Sequence, residues 1–263
     1  MDKNFDKLAD RLKGHIYDSG KGRVRLALLQ HDMLTGLKEL AADKPLEILD
    51  AGGGMGQIAR WLAAMGHRVT LCDISIEMLQ AASAANQEAG LEQNIELLHS
   101  PLQELPALLP GRRFDLILLH GVIEWMETPA DALRQLVPML KAGGAVSLLY
   151  FNRSKLILKW GINGQLQKAT SGKGGRSRTL TPSNPLCETD LLPVFAECGL
   201  DPSSKAGIRI FYGFFTGMVK NRPACQTTID LEIQYCHTEP FASLGEHTHF
   251  ILRKIADATD TRS

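Results

Sequence analysis

The chain has 263 residues, 44% of them apolar and 22% charged, and its formal net charge is zero. These values suit a soluble globular chain of one domain with an elaboration, or one large domain. A balanced charge excludes a global field that would draw the protein to nucleic acid, so any such binding must rest on a local patch.

The five cysteines, Cys72, Cys187, Cys198, Cys225 and Cys236, show no C-x-x-C spacing. They read as reduced, packed thiols of a cytoplasmic protein, and no metal site is expected. The first residues lack a basic start followed by an apolar core, so no secretory leader is expected. No apolar run reaches the length of about 18 residues that a membrane span needs, so no membrane partner is expected.

Residues 4–13 carry Phe5, Leu8 and Leu12 at helical spacing, and 23–42 predict a longer amphipathic helix. Arg25 lies at the start of that helix. It is either a solvated arginine or a guanidinium that grips a ligand carboxylate through two parallel hydrogen bonds. Residues 46–50 then predict a strand that ends in Asp50, followed by the turn Gly52-Gly53-Gly54-Met55-Gly56 and a helical segment over 57–65. A second strand over 68–72 leads into Asp73. This is a strand, glycine loop, helix, strand unit. Its glycines let the backbone turn sharply and approach a bound nucleotide, and a carboxylate closing the second strand can accept from both ribose hydroxyls.

Ser75 is placed to cap a helix over 76–89. Strands are predicted over 95–99 and 114–119, a helix over 131–140, a tight turn at Lys141-Ala142-Gly143-Gly144 and a fifth strand over 145–151. Strands alternating with helices specify a parallel sheet covered on both faces, with ligands outside the carboxyl ends of the strands. Asp50, Asp73, Gln103, His120 and Tyr150 are expected on that rim.

The stretch 152–178 breaks the pattern. Arg153, Lys155, Lys159, Lys168, Lys173, Arg176 and Arg178 stand there without an acid among them. Such a basic insert, taken over 152–185, is either a phosphate-binding surface near the active site or a solvated linker. A helix over 189–198, strands over 205–211 and 247–254, and a helix over 227–235 complete the chain. His247 and His249 alternate, so they share one face of a strand, but no thiol or acid is placed beside them by spacing.

The compact loop Asp50-Ala51-Gly52-Gly53-Gly54-Met55-Gly56 resembles motif I of the class I S-adenosylmethionine-dependent methyltransferases, as does the Leu-Lys-x-Gly-Gly turn before the fifth strand. Several further stretches are particular to one family. They include Lys21-Gly22-x-x-Arg25, Leu71-Cys72-Asp73-x-Ser75, His120-x-Val122-x-Glu124-Trp125, Arg178-Thr179-Leu180, Gly207-x-Arg209-x-Phe211 and Glu239-Pro240. Together they resemble the bacterial tRNA 5-carboxymethoxyuridine methyltransferases over nearly the whole chain. The resemblance implies an α/β, Rossmann-like fold: a mostly parallel seven-stranded sheet with helices on both faces and the last strand antiparallel. It also implies one methyltransferase domain over 1–263 with a helical cap over 1–43.

The implied cofactor is S-adenosyl-L-methionine. The implied partner is tRNA, through the anticodon stem-loop, with methylation of the carboxylate of 5-carboxymethoxyuridine at the wobble position, U34. By matching position, Arg25, Gly52, Gly53, Asp73 and His120 would contact the cofactor, with Leu102 or Gln103 at the adenine. Asp50, Gly54 and Ile74 join this cofactor set. A carboxylate acceptor is already ionised at neutral pH and needs no general base. An arginine would orient it instead: Arg209 first and Arg178 second, with Tyr150 and Tyr212 lining the pocket. Arg209 could equally be an exposed strand residue. Two other readings stay open, a methyltransferase of a small metabolite and a non-catalytic partner protein that keeps the fold.

Overall fold

The computed structural model describes residues 19–172, 182, 184–215 and 225–255. Its centre is a seven-stranded sheet in the order β3-β2-β1-β4-β5-β7-β6. The strands are β1 Glu47–Ala51, β2 Arg68–Asp73, β3 Ile95–His99, β4 Phe114–His120, β5 Leu140–Phe151, β6 Leu200–Ile208 and β7 His247–Lys254. β7 runs antiparallel to both β5 and β6, while the pairings among β1 to β5 are parallel. The expected methyltransferase architecture is therefore present, with one inverted strand inserted between β5 and β6.

Strand alternation sends neighbouring side chains to opposite faces, and each face has its own core. One face carries Ile48, Leu71, Leu116, Leu118, Ala145, Leu149, Ala206 and Ile251. The other carries Leu49, Ala51, Ile117, Leu119, Val146, Leu148, Tyr150 and Phe250. The first face is covered by α1 Gly20–Gly36, α2 Gln57–Ala64, α3 Ile76–Glu88 and α9 Gln226–Tyr235. The second is covered by α4 Leu105–Leu108, α5 Pro129–Leu136 and α8 Glu188–Glu197. The remaining helices, α6 Arg153–Ile162 and α7 Leu166–Ser171, follow β5 at its carboxyl end.

Several boundaries differ from expectation for local reasons. α1 starts at Gly20 because the Ser19 hydroxyl accepts from Gly22 N–H at 3.3 Å. It stops at Gly36, where any Cβ would collide with Ile251 of β7, and a short 3₁₀ turn over Lys38–Ala41 replaces the predicted last turns. The predicted tight turn before β5 is a bulge within it: pairing jumps from Phe114↔Leu140 to Leu116↔Ala145. β6 ends at Ile208, and Arg209, expected inside that strand, turns the chain with φ +62°. The insert after β5 holds two helices. Asn152 caps the first by accepting from Ser154 N–H at 3.0 Å and Lys155 N–H at 3.4 Å. The helix expected over 4–13 lies outside the described residues.

One buried acid ties α1 to the sheet. Asp32, 1% exposed, meets the Nδ1 side of His249 on β7 and lies 3.1 Å from Nε2 of His237. Burial is the largest single effect and would raise its carboxyl, but the hydrogen bonds and electrostatic pull of the two histidines together outweigh it and hold the carboxyl well below the usual range. Asp32 in turn pushes His237 from 6.5 up to about 11. A histidine raised in this way adds stability fully present below its unfolded pKa and lost as pH rises through the folded one. Asp32, being depressed, adds stability present above 3.8 and lost at lower pH. His237→Gln is therefore expected to lower Tm most between pH 3.8 and 6.5, with the difference fading as pH climbs towards 11. Because the His237 side chain is 41% exposed, solvent screening keeps the drop to roughly 2–4 °C. Thermal melts across that pH range check it.

Candidate active site

The carboxyl ends of β1, β2, β4 and β5 and the amino end of β7 meet on one rim of the sheet. The glycine loop leaves β1 there. Gly52 N–H and Gly53 N–H both donate to the Cys72 carbonyl, at 2.7 and 3.1 Å, which folds the loop back onto the end of β2. Gly52, Gly54 and Gly56 all have positive φ, at 79°, 55° and 71°. A Cβ on Gly52 would stand 2.6 Å from Val122, and one on Gly53 would stand 2.6 Å from the Asp50 carboxylate. Gly52→Ala combines a left-handed backbone with that clash, so at least a tenfold loss of cofactor affinity by calorimetry is expected.

Asp73 closes β2 and fixes the loop. One carboxylate oxygen accepts from Gly54 N–H and the other from Ser75 N–H, each at 2.8 Å. Ser75 caps α3 as expected, its hydroxyl accepting from Met78 N–H at 3.3 Å. Burial, and then the charge on Asp73, push the Asp50 carboxyl up to about 7. Ile74 is half-buried beside this loop, and its carbonyl lies 3.1 Å from His99 Nε2. Leu102 and Gln103 form a 3₁₀ turn after β3; Gln103 is exposed, whereas the Leu102 side chain belongs to the second core.

His120 ends β4 beside the loop. Its Nε2 lies 2.8 Å from Ser147 Oγ, and its buried Nδ1 has no partner among the described residues. Burial first, then His249 and Arg25, hold its pKa well below 6.5. Arg25, half-buried in the first turns of α1, acts on four rim groups. It opposes charge on His120, His247 and Arg209 and favours it on Glu124.

Glu124 is 2% exposed; its Oε1 accepts from Phe151 N–H at 3.2 Å, and burial pushes its carboxyl up to about 7. It holds the end of β5, in line with a supporting rather than a substrate-binding place.

A second cluster lies where β5, β6 and β7 converge. Arg209 holds φ +62°, the one non-glycine residue with positive φ among the described residues. Two acceptors pin the chain around it: Glu232, 0% exposed, takes Ile210 N–H at 2.6 Å and Tyr212 N–H at 2.8 Å. Arg209 Nε is buried without a hydrogen-bond partner, and burial lowers its pKa despite the favourable charge of Glu246. Tyr212 is also buried, beside Phe215. His247 stands edge-on to Phe151, and its buried Nδ1 is likewise unpartnered.

Two expectations change. Tyr150 is not on the rim. Its side chain is 0% exposed, stacked near Phe250 in the second core, on the face opposite His120. Alternation along β5 dictates this, since Leu149 pairs with His120 and faces the first core. The basic insert is also less available than its composition suggested. Arg153 pairs with Asp190 at 2.9 Å, and Lys155 is 1% exposed, donating to the Ile210 carbonyl at 3.1 Å over the Phe214 ring. Burial pulls Lys155 down to about 7. Lys159 lies 3.8 Å from Glu246, and Lys168 is exposed. Lys173, Arg176 and Arg178 lie outside the described residues.

The donor and acceptor set suits S-adenosylmethionine. Asp73 keeps lone pairs for two ribose hydroxyls, the unpartnered His120 Nδ1 suits an ammonium, and Arg25 suits a carboxylate. Sequence reading missed Val122, Ser147, Glu232 and the Asp32–His249 pair. His249 left one signal, its alternation with His247, and Asp32 another: it shares the apolar stripe of α1 with Val24, Leu28 and Leu29.

Residues 49–148 match the family model described as a methyltransferase domain. The chain is 34% identical over 97% of its length, and over 97% of the relative, to the tRNA 5-carboxymethoxyuridine methyltransferase of Escherichia coli O157:H7. Likeness to the ubiquinone biosynthesis O-methyltransferase of Rickettsia conorii is also 34% but spans 44% of this chain and 39% of that one. Among solved structures, the plantazolicin methyltransferase BpumL in complex with SAH superposes with a TM-score of 0.59 at 16% identity, over 95% of this chain and 90% of that one. That likeness shows the fold alone. Full-length identity, together with the glycine loop, places this chain in the tRNA 5-carboxymethoxyuridine methyltransferase family, as an S-adenosylmethionine-dependent methyltransferase.

Proposed function

We propose that this enzyme methylates the carboxylate of 5-carboxymethoxyuridine at U34 of tRNA and forms the methyl ester. The observation that carries the reading is the extent of the likeness: it runs through the insert and the β6–β7 region, beyond the half shared with the ubiquinone relative. Those are the regions that build the second, arginine-containing cluster.

Gly52, Gly53 and Gly54 wrap the methionine portion of the cofactor, with Arg25 on its carboxylate and His120 on its ammonium. Asp73 takes the ribose hydroxyls, and Ile74, Leu102 and Gln103 border the adenine. Asp50 sets the loop from beneath and counters the cofactor's positive charge. Bound S-adenosylmethionine supplies a methyl group activated on a sulfonium. No residue has to remove a proton, because a carboxylate acceptor is ionised at neutral pH with a pKa of about 4.

The chain's task is therefore alignment and dehydration. Arg209 would hold one oxygen of the acceptor carboxylate and leave the other free to take the methyl group that bound S-adenosylmethionine would supply. Tyr212 shapes the same pocket, and Arg178 is a second candidate for the anchor. The support for Arg209 is its left-handed backbone and a half-buried side chain whose buried Nε lacks a partner, two costs that a functional residue commonly carries. tRNA is recognised through the anticodon stem-loop, with exposed cations such as Lys168 meeting phosphate. The protein acts in the cytoplasm, where its substrate is made.

The test uses tritiated methyl donor and tRNA carrying 5-carboxymethoxyuridine. An ester predicts label on the tRNA that mild alkali releases as methanol. Alkali-stable label would mean transfer to a base nitrogen or ribose and would refute ester formation. Label on free nucleoside as fast as on tRNA would favour a small-molecule methyltransferase.

A further inference from the structure

A polar chain crosses the otherwise apolar first face of the sheet. It begins at His237 near the surface and passes through Asp32 on α1, His249 on β7 and Ser147 on β5 to His120 on β4. His249 Nε2 lies 2.7 Å from Ser147 Oγ, and Ser147 Oγ lies 2.8 Å from His120 Nε2. Ser147 and His249 are both 0% exposed. The trio Asp32, His249 and Ser147 has the composition of a hydrolytic triad, but a sealed serine held between two imidazoles offers no substrate a route.

The chain has a direction. The Asp32 carboxylate can only accept, so His249 must present Nδ1–H to it. Asp32 already faces a second imidazole at His237, whose Nδ1 lies 2.9 Å from the Lys205 carbonyl, an acceptor only. Nδ1 of His237 is therefore a donor; its Nε2 stands 3.1 Å from Asp32 Oδ1, at ion-pair distance though not aligned as a hydrogen bond, so His237 carries the balancing charge. One buried carboxylate needs one balancing charge, and a second cation at His249, 0% exposed, would have no counter-charge, so the relay takes His249 as the neutral ring with an accepting Nε2. The single hydroxyl hydrogen of Ser147 points to that nitrogen, and its oxygen accepts from His120 Nε2–H. One tautomer of His120 remains, with a bare Nδ1 lone pair at the rim.

We propose that Asp32, His249 and Ser147 are positioning residues that lock His120 as its Nε2–H tautomer and so present Nδ1 as an acceptor to the ammonium of S-adenosylmethionine. The relay itself depends only on this chain. Its use rests on the reading above that His120 meets the cofactor's methionine end. An Nδ1–H tautomer there would turn a donor towards an ammonium and repel it. Arg25 makes a charged imidazolium at His120 worse still.

The experiment is ¹⁵N-histidine NMR on the cofactor-free protein, with calorimetric titration of S-adenosylmethionine on the same samples. Wild type is expected to show His120 protonated at Nε2 and bare at Nδ1. Ser147→Ala removes the acceptor, so His120 should become a tautomer mixture and affinity should fall about tenfold. Ser147→Thr keeps the hydroxyl and should restore both. Asp32→Asn is the second variant. If its amide nitrogen faces His249, every bond in the relay reverses and His120 shifts towards Nδ1–H.

An Nδ1–H signal for His120 in wild type overturns the proposal, because it would mean that His249 is charged and the chain runs the other way. An unchanged tautomer in Ser147→Ala overturns it as well. A tautomer change with affinity unaltered leaves the relay standing and refutes the contact of His120 with the cofactor.

Discussion

Asp73→Ala is expected to abolish cofactor binding at ordinary concentrations. Its carboxylate does two things at once. It accepts Gly54 N–H and Ser75 N–H at 2.8 Å each, so it holds both the glycine loop and the start of α3. The same carboxylate is the acceptor proposed for the ribose hydroxyls. Two charge-assisted hydrogen bonds at about 1.5–3 kcal/mol each amount to roughly 10²–10⁴ in affinity, before any slackening of the loop is counted. Asp73→Asn keeps one good acceptor and should fall between wild type and alanine. Calorimetry with S-adenosylmethionine measures both, and unchanged affinity in Asp73→Ala would remove this residue from the site.

Arg209→Gly is expected to separate folding from turnover. Glycine occupies φ +62° without penalty, and the substitution also removes a half-buried arginine whose buried Nε lacks a partner. Stability should rise by roughly 1–3 kcal/mol while cofactor affinity stays unchanged. Methyl transfer to tRNA should fall by about 10² or more, because the charged anchor on one oxygen of the acceptor carboxylate is lost. Arg209→Lys should not rescue it, since a point charge on a flexible stem does not reproduce the fixed, planar guanidinium. A destabilised Arg209→Gly with full activity would mean that the residue serves the fold.

The strands were the most legible part of the chain. β3 and β7 fall on their expected residues. The glycine loop and Asp73 were legible because the motif sits between two such strands. Tyr150 was misplaced because nearness to the end of β5 says nothing about which face a residue takes; the period of two does, and it sends Tyr150 away from His120. β6 was extended through Arg209 because a left-handed arginine looks like any strand residue in sequence. What bends the chain there is Glu232, more than 20 residues downstream. The basic insert misled for a related reason: Arg153 and Lys155 find partners on α8 and beside β6 that composition cannot foresee.

The most direct test of the account is nucleoside mass analysis of tRNA from cells lacking this protein, before and after incubation with purified enzyme and S-adenosylmethionine. The account predicts that 5-carboxymethoxyuridine is converted to its methyl ester, and that Arg209→Ala blocks conversion while still binding cofactor. Persistence of the free acid with active, cofactor-bound wild-type enzyme would contradict it and direct the search to a different methyl acceptor.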